Sequence, residues 1–388
     1  MKFKKNITSE KVNIFRKIAL NIVLLAFTSQ VLAQTDRTVT PALTSIELTS
    51  DAHLGGMADI SSVASDFYPE AGLSHNPALL INETKHAGLN FSNMPMYTKI
   101  AKDINNKSMN AFYAIDSKNV IGYSFSKFDL GEQILTDYTG TYLSTIHQGE
   151  YYHKLSYARS ISQNIALGLG LKVINSNMET PEPINTIAAD LGFSFRKKFT
   201  LSKEIDLGTN LGSTINNLGS KVENSEFVYN YFMPTNLKIG LMLSPAYHIT
   251  SDINLNWDVA IQFRKDLIPS QETHKNYNNI SSFQAFYQSF YDSPDGFIGE
   301  IKEINSKIGT EVRINYINKL YLALRYGRYN TPSIVQHDLV TSEGLGIGVY
   351  GFYLDLKYLK PHKESNLNDN HSITLGCRLK LNGKPFEF

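Results

Sequence analysis

The sequence predicts an all-β protein, a transmembrane outer-membrane β-barrel of about 14 antiparallel strands with an N-terminal plug segment and a long, partly helical extracellular loop. Three observations predict it. Runs in which apolar and polar residues alternate recur through most of the 388 residues. The connections between those runs are short and long in turn. After the first 33 residues, no apolar stretch reaches the roughly 18 residues that a membrane helix needs.

The chain divides into a signal peptide (1–33), a plug or hatch segment (34–85) and the barrel (86–388). Lys2, Lys4, Lys5, Lys11, Arg16 and Lys17 form a basic start, and Ile18 to Phe27 is apolar apart from Asn21. Val31-Leu32-Ala33 then fits a cleavage site, with Gln34 as the new N-terminus. The alternative is an uncleaved anchor. Loss of residues 1–33 leaves 31 basic against 35 acidic residues, a net charge of −4 that gives no reason to expect nucleic acid as a partner. Cys377 is the single cysteine, so no intramolecular disulfide framework exists.

Successive side chains of a strand point to opposite faces. Ile253, Leu255, Trp257, Val259, Ile261 and Phe263 alternate with Asp252, Asn254, Asn256, Asp258, Ala260, Gln262 and Arg264. Ile165, Leu167, Leu169, Leu171 and Val173 alternate with Ala166, Gly168, Gly170 and Lys172. A tilted strand crosses a bilayer in about 9–11 residues, the length of these runs. In lipid the apolar face turns outward and the polar face lines the lumen; a soluble sandwich would use the same alternation. The predicted strands are 86–94, 107–116, 119–128, 149–160, 164–178, 183–198, 203–214, 234–244, 251–264, 303–316, 319–328, 341–350, 351–360 and 371–381. Every second connection is then short, as periplasmic turns are, and all but one of the others are long. The closing strand sets Ile373, Leu375, Cys377 and Leu379 against Thr374, Gly376, Arg378 and Lys380, and the chain ends on Phe388.

Between signal and first strand, small and apolar residues from Ala52 to Leu80 include Gly55-Gly56-Met57 and Asn76-Pro77-Ala78. That composition favours packing in the lumen over a disordered leader. The plug motif residues are Gly55, Gly56, Met57, Asn76 and Pro77. Asp206, Lys238, Asp258, Arg264, Arg325, Asp355 and Lys357 fall on the lumen face, where they are expected to pair across the interior.

In the connection 265–302, Phe283, Phe286, Tyr287, Phe290 and Tyr291 recur at helical spacing, followed by the turn Ser293-Pro294-Asp295-Gly296 and by Phe297. Such an aromatic face can anchor a protein partner or pack over the barrel's own mouth. In the connection 215–233, Asn216 and Asn217 supply turn chemistry, while Phe227, Tyr229, Tyr231 and Phe232 fit a membrane-interface girdle.

Nothing in the residues points to catalysis. Gly-x-Ser-x-Gly, His-Glu-x-x-His and Walker A motifs do not occur. Gly346-Ile-Gly-Val-Tyr-Gly351 matches the dinucleotide pattern but spans a predicted hairpin with no helix after it. The ten histidines have no ligand spacing, so no metal and no cofactor is expected.

Several segments together resemble the PorV family of the type IX secretion system of the Bacteroidetes, within the wider group of FadL-like barrels. They are Asp51-Ala-His-Leu-Gly-Gly-Met57, His75-Asn-Pro-Ala78, Phe128-Asp-Leu-Gly-Glu-Gln-Ile-Leu-Thr-Asp137, Ile215-Asn-Asn-Leu-Gly-Ser-Lys-Val222, Met233-Pro-Thr-Asn-Leu-Lys-Ile-Gly240, Phe263-Arg-Lys-Asp-Leu-Ile-Pro269 and Phe283–Phe297. The family's Gly-Gly-Met-Gly ends in Ala58 here, and its Trp-Asn-Pro-Ala-Lys reads His75-Asn76-Pro77-Ala78-Leu79. These departures leave the related PorQ type open. The resemblance implies a non-enzymatic barrel in the cell outer membrane that binds an SprA-type translocon and cargo with a C-terminal signal domain. It also implies delivery of that cargo to a PorU-type sortase attachment complex. The alternative within the wider group is a FadL-like transporter of hydrophobic small molecules. A lipid-modifying enzyme would need Ser and His to converge in the wall.

Overall fold

The computed structural model describes residues 41–64, 72–83, 86–98, 101–178, 183–222, 231–269, 279–317, 319–331, 338–361 and 370–380. The expected signal peptide, Phe227, Tyr229 and the terminal Phe388 lie outside them. Fourteen strands form one closed barrel, each paired with its neighbours in sequence. They are β1 (His86–Pro95), β2 (Asn105–Ala114), β3 (Asn119–Thr136), β4 (Tyr142–Ser160), β5 (Ile165–Ser176), β6 (Ile184–Thr200) and β7 (Ile205–Gly219). β8 (Asn236–His248), β9 (Ile253–Asp266), β10 (Asn305–Tyr316), β11 (Leu320–Thr331), β12 (Asp338–Val349), β13 (Phe352–Pro361) and β14 (His371–Lys380) complete it. β1 and β14 close the cylinder antiparallel, from His86↔Lys380 to Asn93↔Ile373. No backbone edge is then left to lipid.

The faces follow the alternation. Leu167, Leu169, Leu171 and Val173 are 44% to 60% exposed on the outside, while Ala166, Lys172 and Ile174 are buried inside. Leu322 and Leu324 stand outward while Ala323 and Arg325 are buried. Outward side chains this apolar are stable against acyl chains and costly in water.

The short connections all lie at one end. In the tightest, Tyr350 and Gly351 both have positive φ (51° and 87°), the two-residue turn that matches the twist of a hairpin. Barrels of this kind keep short turns in the periplasm, which places the long connections outside the cell.

Two predicted boundaries are corrected. The expected loop 129–148 is mostly strand: β3 runs to Thr136 and β4 begins at Tyr142, so the hairpin projects beyond the rim. A shift of register between Asp129 and Glu132, beside Gly131 at φ 75°, bends it there. Asp129, Gly131 and Glu132 read as loop because the bulge interrupts the period. Likewise β7 continues to Gly219 through a bulge, where a connection was expected from 215.

The described parts of the N-terminal segment, 41–64 and 72–83, pack inside the barrel. A 3-10 turn (Thr44–Glu47) lies near the long-loop end, where Ala42, Leu43 and Ile46 pack on Tyr152, Ile174, Ala188 and Met233. Helix α1 (Ala52–Gly56) follows, capped at its N-terminus by the Asp51 carboxylate, which accepts from Leu54 N at 2.9 Å. A second 3-10 turn (Pro77–Glu83) reaches the short-turn end, where Leu80 and Ile81 pack on Phe112, Val120, Ala158 and Ala166. The hydrophobic core is therefore formed between plug and wall.

Candidate functional site: the seated plug and the helical loop

The plug is seated on bare wall. Among the described residues, inward-facing glycines stand wherever its backbone approaches most closely. A β-carbon built on Gly212 would lie 1.9 Å from Ser62 O, and one on Gly168 2.3 Å from Ala78 N. One on Gly327 would lie 2.3 Å from the Ala58 nitrogen, and one on Gly309 2.7 Å from the Met57 carbonyl oxygen. A side chain at any of these places collides with main chain, so the absence of one is what lets the segment dock.

Specific hydrogen bonds fix the register. Asn76 Nδ2 donates to Ser62 O at 2.7 Å, and Asn76 Oδ1 accepts from Ala78 N at 3.1 Å. The His75 carbonyl accepts from Asn216 Nδ2 at 2.6 Å and from Thr214 Oγ1 at 3.2 Å. Gln262 Oε1 accepts from the backbone N–H of Ser61 and of Ser62, both at 2.9 Å. His75 itself is buried, its ring nitrogens 3.1 Å from Thr49 Oγ1 and 3.4 Å from Lys238 Nζ. Burial first, and then the Lys238 charge, hold its pKa well below the usual range, so the ring is neutral. His53 is held low in the same way, by burial and then by Arg325.

The expected pairing across the lumen is realised at several places. Arg325 Nη1 donates to Asp355 Oδ1 at 2.6 Å, and its Nε bonds Glu311. Arg264 reaches from the wall to Glu47 of the plug at 2.6 Å. Arg313 stands 3.6 Å from Asp258 and 3.0 Å from Glu311. Three of the expected residues behave differently. Asp206 lies at the short-turn rim with Lys198 and His248, Lys238 faces His75 and Ser61, and Lys357 packs under Gly55 with its Nζ 3.3 Å from Met94 Sδ.

A further cluster went unread in the sequence. Lys154 and Lys172 approach Asp190 Oδ2 at 2.6 and 3.0 Å, all with side chains at most 2% exposed. Asn217, at φ 58°, donates its N–H to Asp190 Oδ1 at 2.8 Å and accepts from Lys172 Nζ at 2.6 Å. Asn216 and Asn217 are therefore a bulge that closes on a buried charge, as well as turn chemistry. The parity of β4 already put Lys154 in line with Tyr152 and Ser156, which was the available signal.

The plug motif residues lie in the lumen as two separate groups: Gly55, Gly56 and Met57 against β10 to β13, Asn76 and Pro77 against β5 and β6. The aromatic residues of the long loop lie elsewhere. Helix α2 (Ser282–Gln288) begins with a complete capping box between Ser281 and Gln284, and helix α3 (Gly296–Lys302) follows the Ser293–Asp295 turn. Ala285 is buried against Phe232 and Ile268 at the rim. Phe283, Tyr287, Tyr291 and Phe297 are 53% to 78% exposed, while Phe286 is half-buried and Phe290 partly exposed. Phe283 and Tyr287 stack edge to face with centroids 4.9 Å apart. One face of α2 thus packs on the barrel while the other is bare.

α3 is fastened to the outside of the wall. Lys265 points outward from β9, yet it is buried beneath the helix, 2.7 Å from both Glu300 and Glu303. Asp292, Glu300 and Glu303 come close enough together to share an ion, but the Lys265 ammonium occupies that role.

A family model described as type IX secretion system protein PorV matches residues 31–273. A search of curated proteins gives no match. Among solved structures, a FadL homologue of Pseudomonas aeruginosa is 9% identical with a TM-score of 0.43, covering 86% of this chain and 99% of that one. The toluene transporter TodX of Pseudomonas putida is 9% identical with a TM-score of 0.39, covering 84% and 96%. The toluene transporter TbuX of Ralstonia pickettii is 10% identical with a TM-score of 0.39, covering 81% and 94%.

Proposed function

This chain belongs to the family of the type IX secretion system protein PorV, an outer-membrane β-barrel, and from that premise we propose that it carries secreted cargo. It takes proteins bearing the C-terminal signal domain from an SprA-type translocon and presents them to a PorU-type sortase attachment complex. The work is done by binding, with no covalent step on this chain. The signal peptide at 1–33 delivers it to the periplasm for assembly into the outer membrane.

The observation that carries this reading is the bare aromatic face of the extracellular loop. Phe283, Phe286, Tyr287, Phe290, Tyr291 and Phe297 are the proposed partner-binding residues, and four of them are more than half exposed. Large aromatic side chains held on short, capped helices are well suited to anchor a protein, because little rotamer entropy is lost on contact. The plug motif, Gly55, Gly56, Met57, Asn76 and Pro77, keeps the lumen filled, so cargo is handled at the rim and not through the pore.

A conduit for hydrophobic small molecules fits less well. The wall around the plug carries buried Lys154, Lys172, Asp190, Glu311, Arg313, Arg325 and Asp355, which would oppose passage of an apolar solute. Co-purification from membranes tests the proposal. The translocon and signal-domain proteins should come down with the tagged chain and be lost when Phe283, Tyr287 and Tyr291 are all changed to Ala. Their absence from the unaltered chain's eluate would reject it.

A further inference from the structure

The helical loop also lies against the outer face of the barrel wall. Between α3 and the outer surface of β8 and β9 runs a mainly apolar groove of about 250 Å³, lined by Ile239, Phe263, Phe290 and Phe297 and also by Arg264, Lys265 and Glu300. Its floor is the membrane face of the barrel itself. Ile239 and Phe263 are register partners, 44% and 39% exposed, and Leu241 continues the same outward row at 39%. Its upper end is closed by the buried Lys265, clamped by Glu300 and Glu303; Lys265 pairs with Leu237, two register pairs above Ile239 and Phe263.

We propose that this groove takes an acyl chain of an outer-leaflet lipid, so that α3 is a membrane-dipping element that holds the loop against the barrel wall. The occupant follows from continuity. Outward residues of a membrane barrel are covered by hydrocarbon, and the groove's floor at Ile239 and Phe263 runs on into the same outward row at Leu241. Water below the Lys265 clamp would face Ile239 and Phe263 on one side and Phe297 on the other, whereas a chain end sliding in buries that apolar area. A charged clamp at the top and apolar residues below it is the order of a membrane interface read from headgroup to hydrocarbon. The inference stands on the fold and holds whatever the cargo is. It also narrows the six aromatic residues proposed above for a partner: Phe290 and Phe297, which line the groove, go to lipid, and Phe283, Phe286, Tyr287 and Tyr291 remain for a protein.

Trp257 is the single tryptophan, which permits a direct test. In a Trp257→Phe background, one tryptophan is introduced by Phe297→Trp, by Leu171→Trp on the outer face of β5 as the lipid-facing reference, or by Tyr287→Trp as the solvent reference. Each full-length protein is placed in nanodiscs of phospholipid with brominated acyl chains. Phe297→Trp should be quenched as strongly as Leu171→Trp, with Tyr287→Trp unquenched. Phe297→Trp behaving like Tyr287→Trp would place the groove above the acyl chains, free for a protein, and would overturn the proposal. A second measurement needs no variant: a phospholipid with a photoreactive acyl chain should label the peptide around residues 290–304 of the unaltered protein. Labelling confined to other outward strand surfaces would overturn it equally.

Discussion

Asn76 of the plug lies directly over Gly192 of the wall, where a built β-carbon would stand 2.3 Å from Asn76 Oδ1 and 2.8 Å from Ala78 N. Gly192→Val should therefore unseat the plug while leaving the barrel closed, because the collision is with the segment and not with a neighbouring strand. Overpacking of this kind costs about 1–3 kcal/mol. Limited proteolysis in nanodiscs should cut within residues 41–83 of the variant and spare the parent. Equal resistance would mean that the close approach is not what seats the plug.

Ala58 is fully buried at φ 60° and directly follows Gly55-Gly56-Met57. A left-handed conformation costs an L-residue about 1–2 kcal/mol, and the buried methyl returns about 0.8 kcal/mol. Ala58→Gly should therefore leave stability unchanged or raise it by up to about 1 kcal/mol, while Ala58→Val should lower it, since branched residues are outliers there. Thermal unfolding in detergent reads the sign of each change.

Asp190 holds two buried ammonium groups. Asp190→Asn leaves Lys154 and Lys172 without a counter-charge and should destabilise by about 3–5 kcal/mol. Lys154→Met on top of it should recover part of that loss. A single variant as stable as the parent in denaturant melts would show that the charges are not desolvated.

Docking of the plug should weaken in acid. His75 is neutral when docked because burial and the surrounding Lys238, Lys172, Lys154 and Lys307 disfavour its charged form. Once released, it takes up a proton below about pH 6.5. The released state then binds more protons than the docked one, so the stability of docking is complete above that pH and falls as pH drops through it. His53 contributes in the same direction. Proteolysis of the plug should rise between pH 7.5 and 5.5, and His75→Gln should remove part of that rise. A flat profile in the parent would contradict the account.

Changing Phe283, Tyr287 and Tyr291 together to Ala should abolish capture of partners with little effect on the melting temperature, because all three are exposed. Loss of capture together with a collapse in stability would show that these side chains hold the loop and do not present it.

Much of the barrel was legible because the membrane imposes a strict rule on sequence: apolar outward at every second residue, as at Leu167 to Val173. Strand number and the parity of connections followed from it. What stayed hidden is whatever breaks the period or joins distant strands. The bulges at Asp129 to Glu132 and at Asn216-Asn217 looked like loops. The union of Lys154, Lys172 and Asp190 depends on three strands meeting, which spacing alone does not fix. Gly168 read only as a small residue on the lumen face, and only the path of the plug reveals that it, like Gly192, Gly212 and Gly327, is a contact. The aromatic face of α2 was visible from its helical spacing, but the attachment of α3 through Lys265 was not, since Lys265 continues an outward apolar row and would be expected in lipid or solvent.

The most direct measurement is the fate of cargo in a strain lacking this chain. Proteins with the C-terminal signal domain should accumulate in the periplasm or on the translocon and disappear from the cell surface, and the unaltered gene should restore them. Surface cargo at the parental level in the deletion strain would contradict the account at its centre.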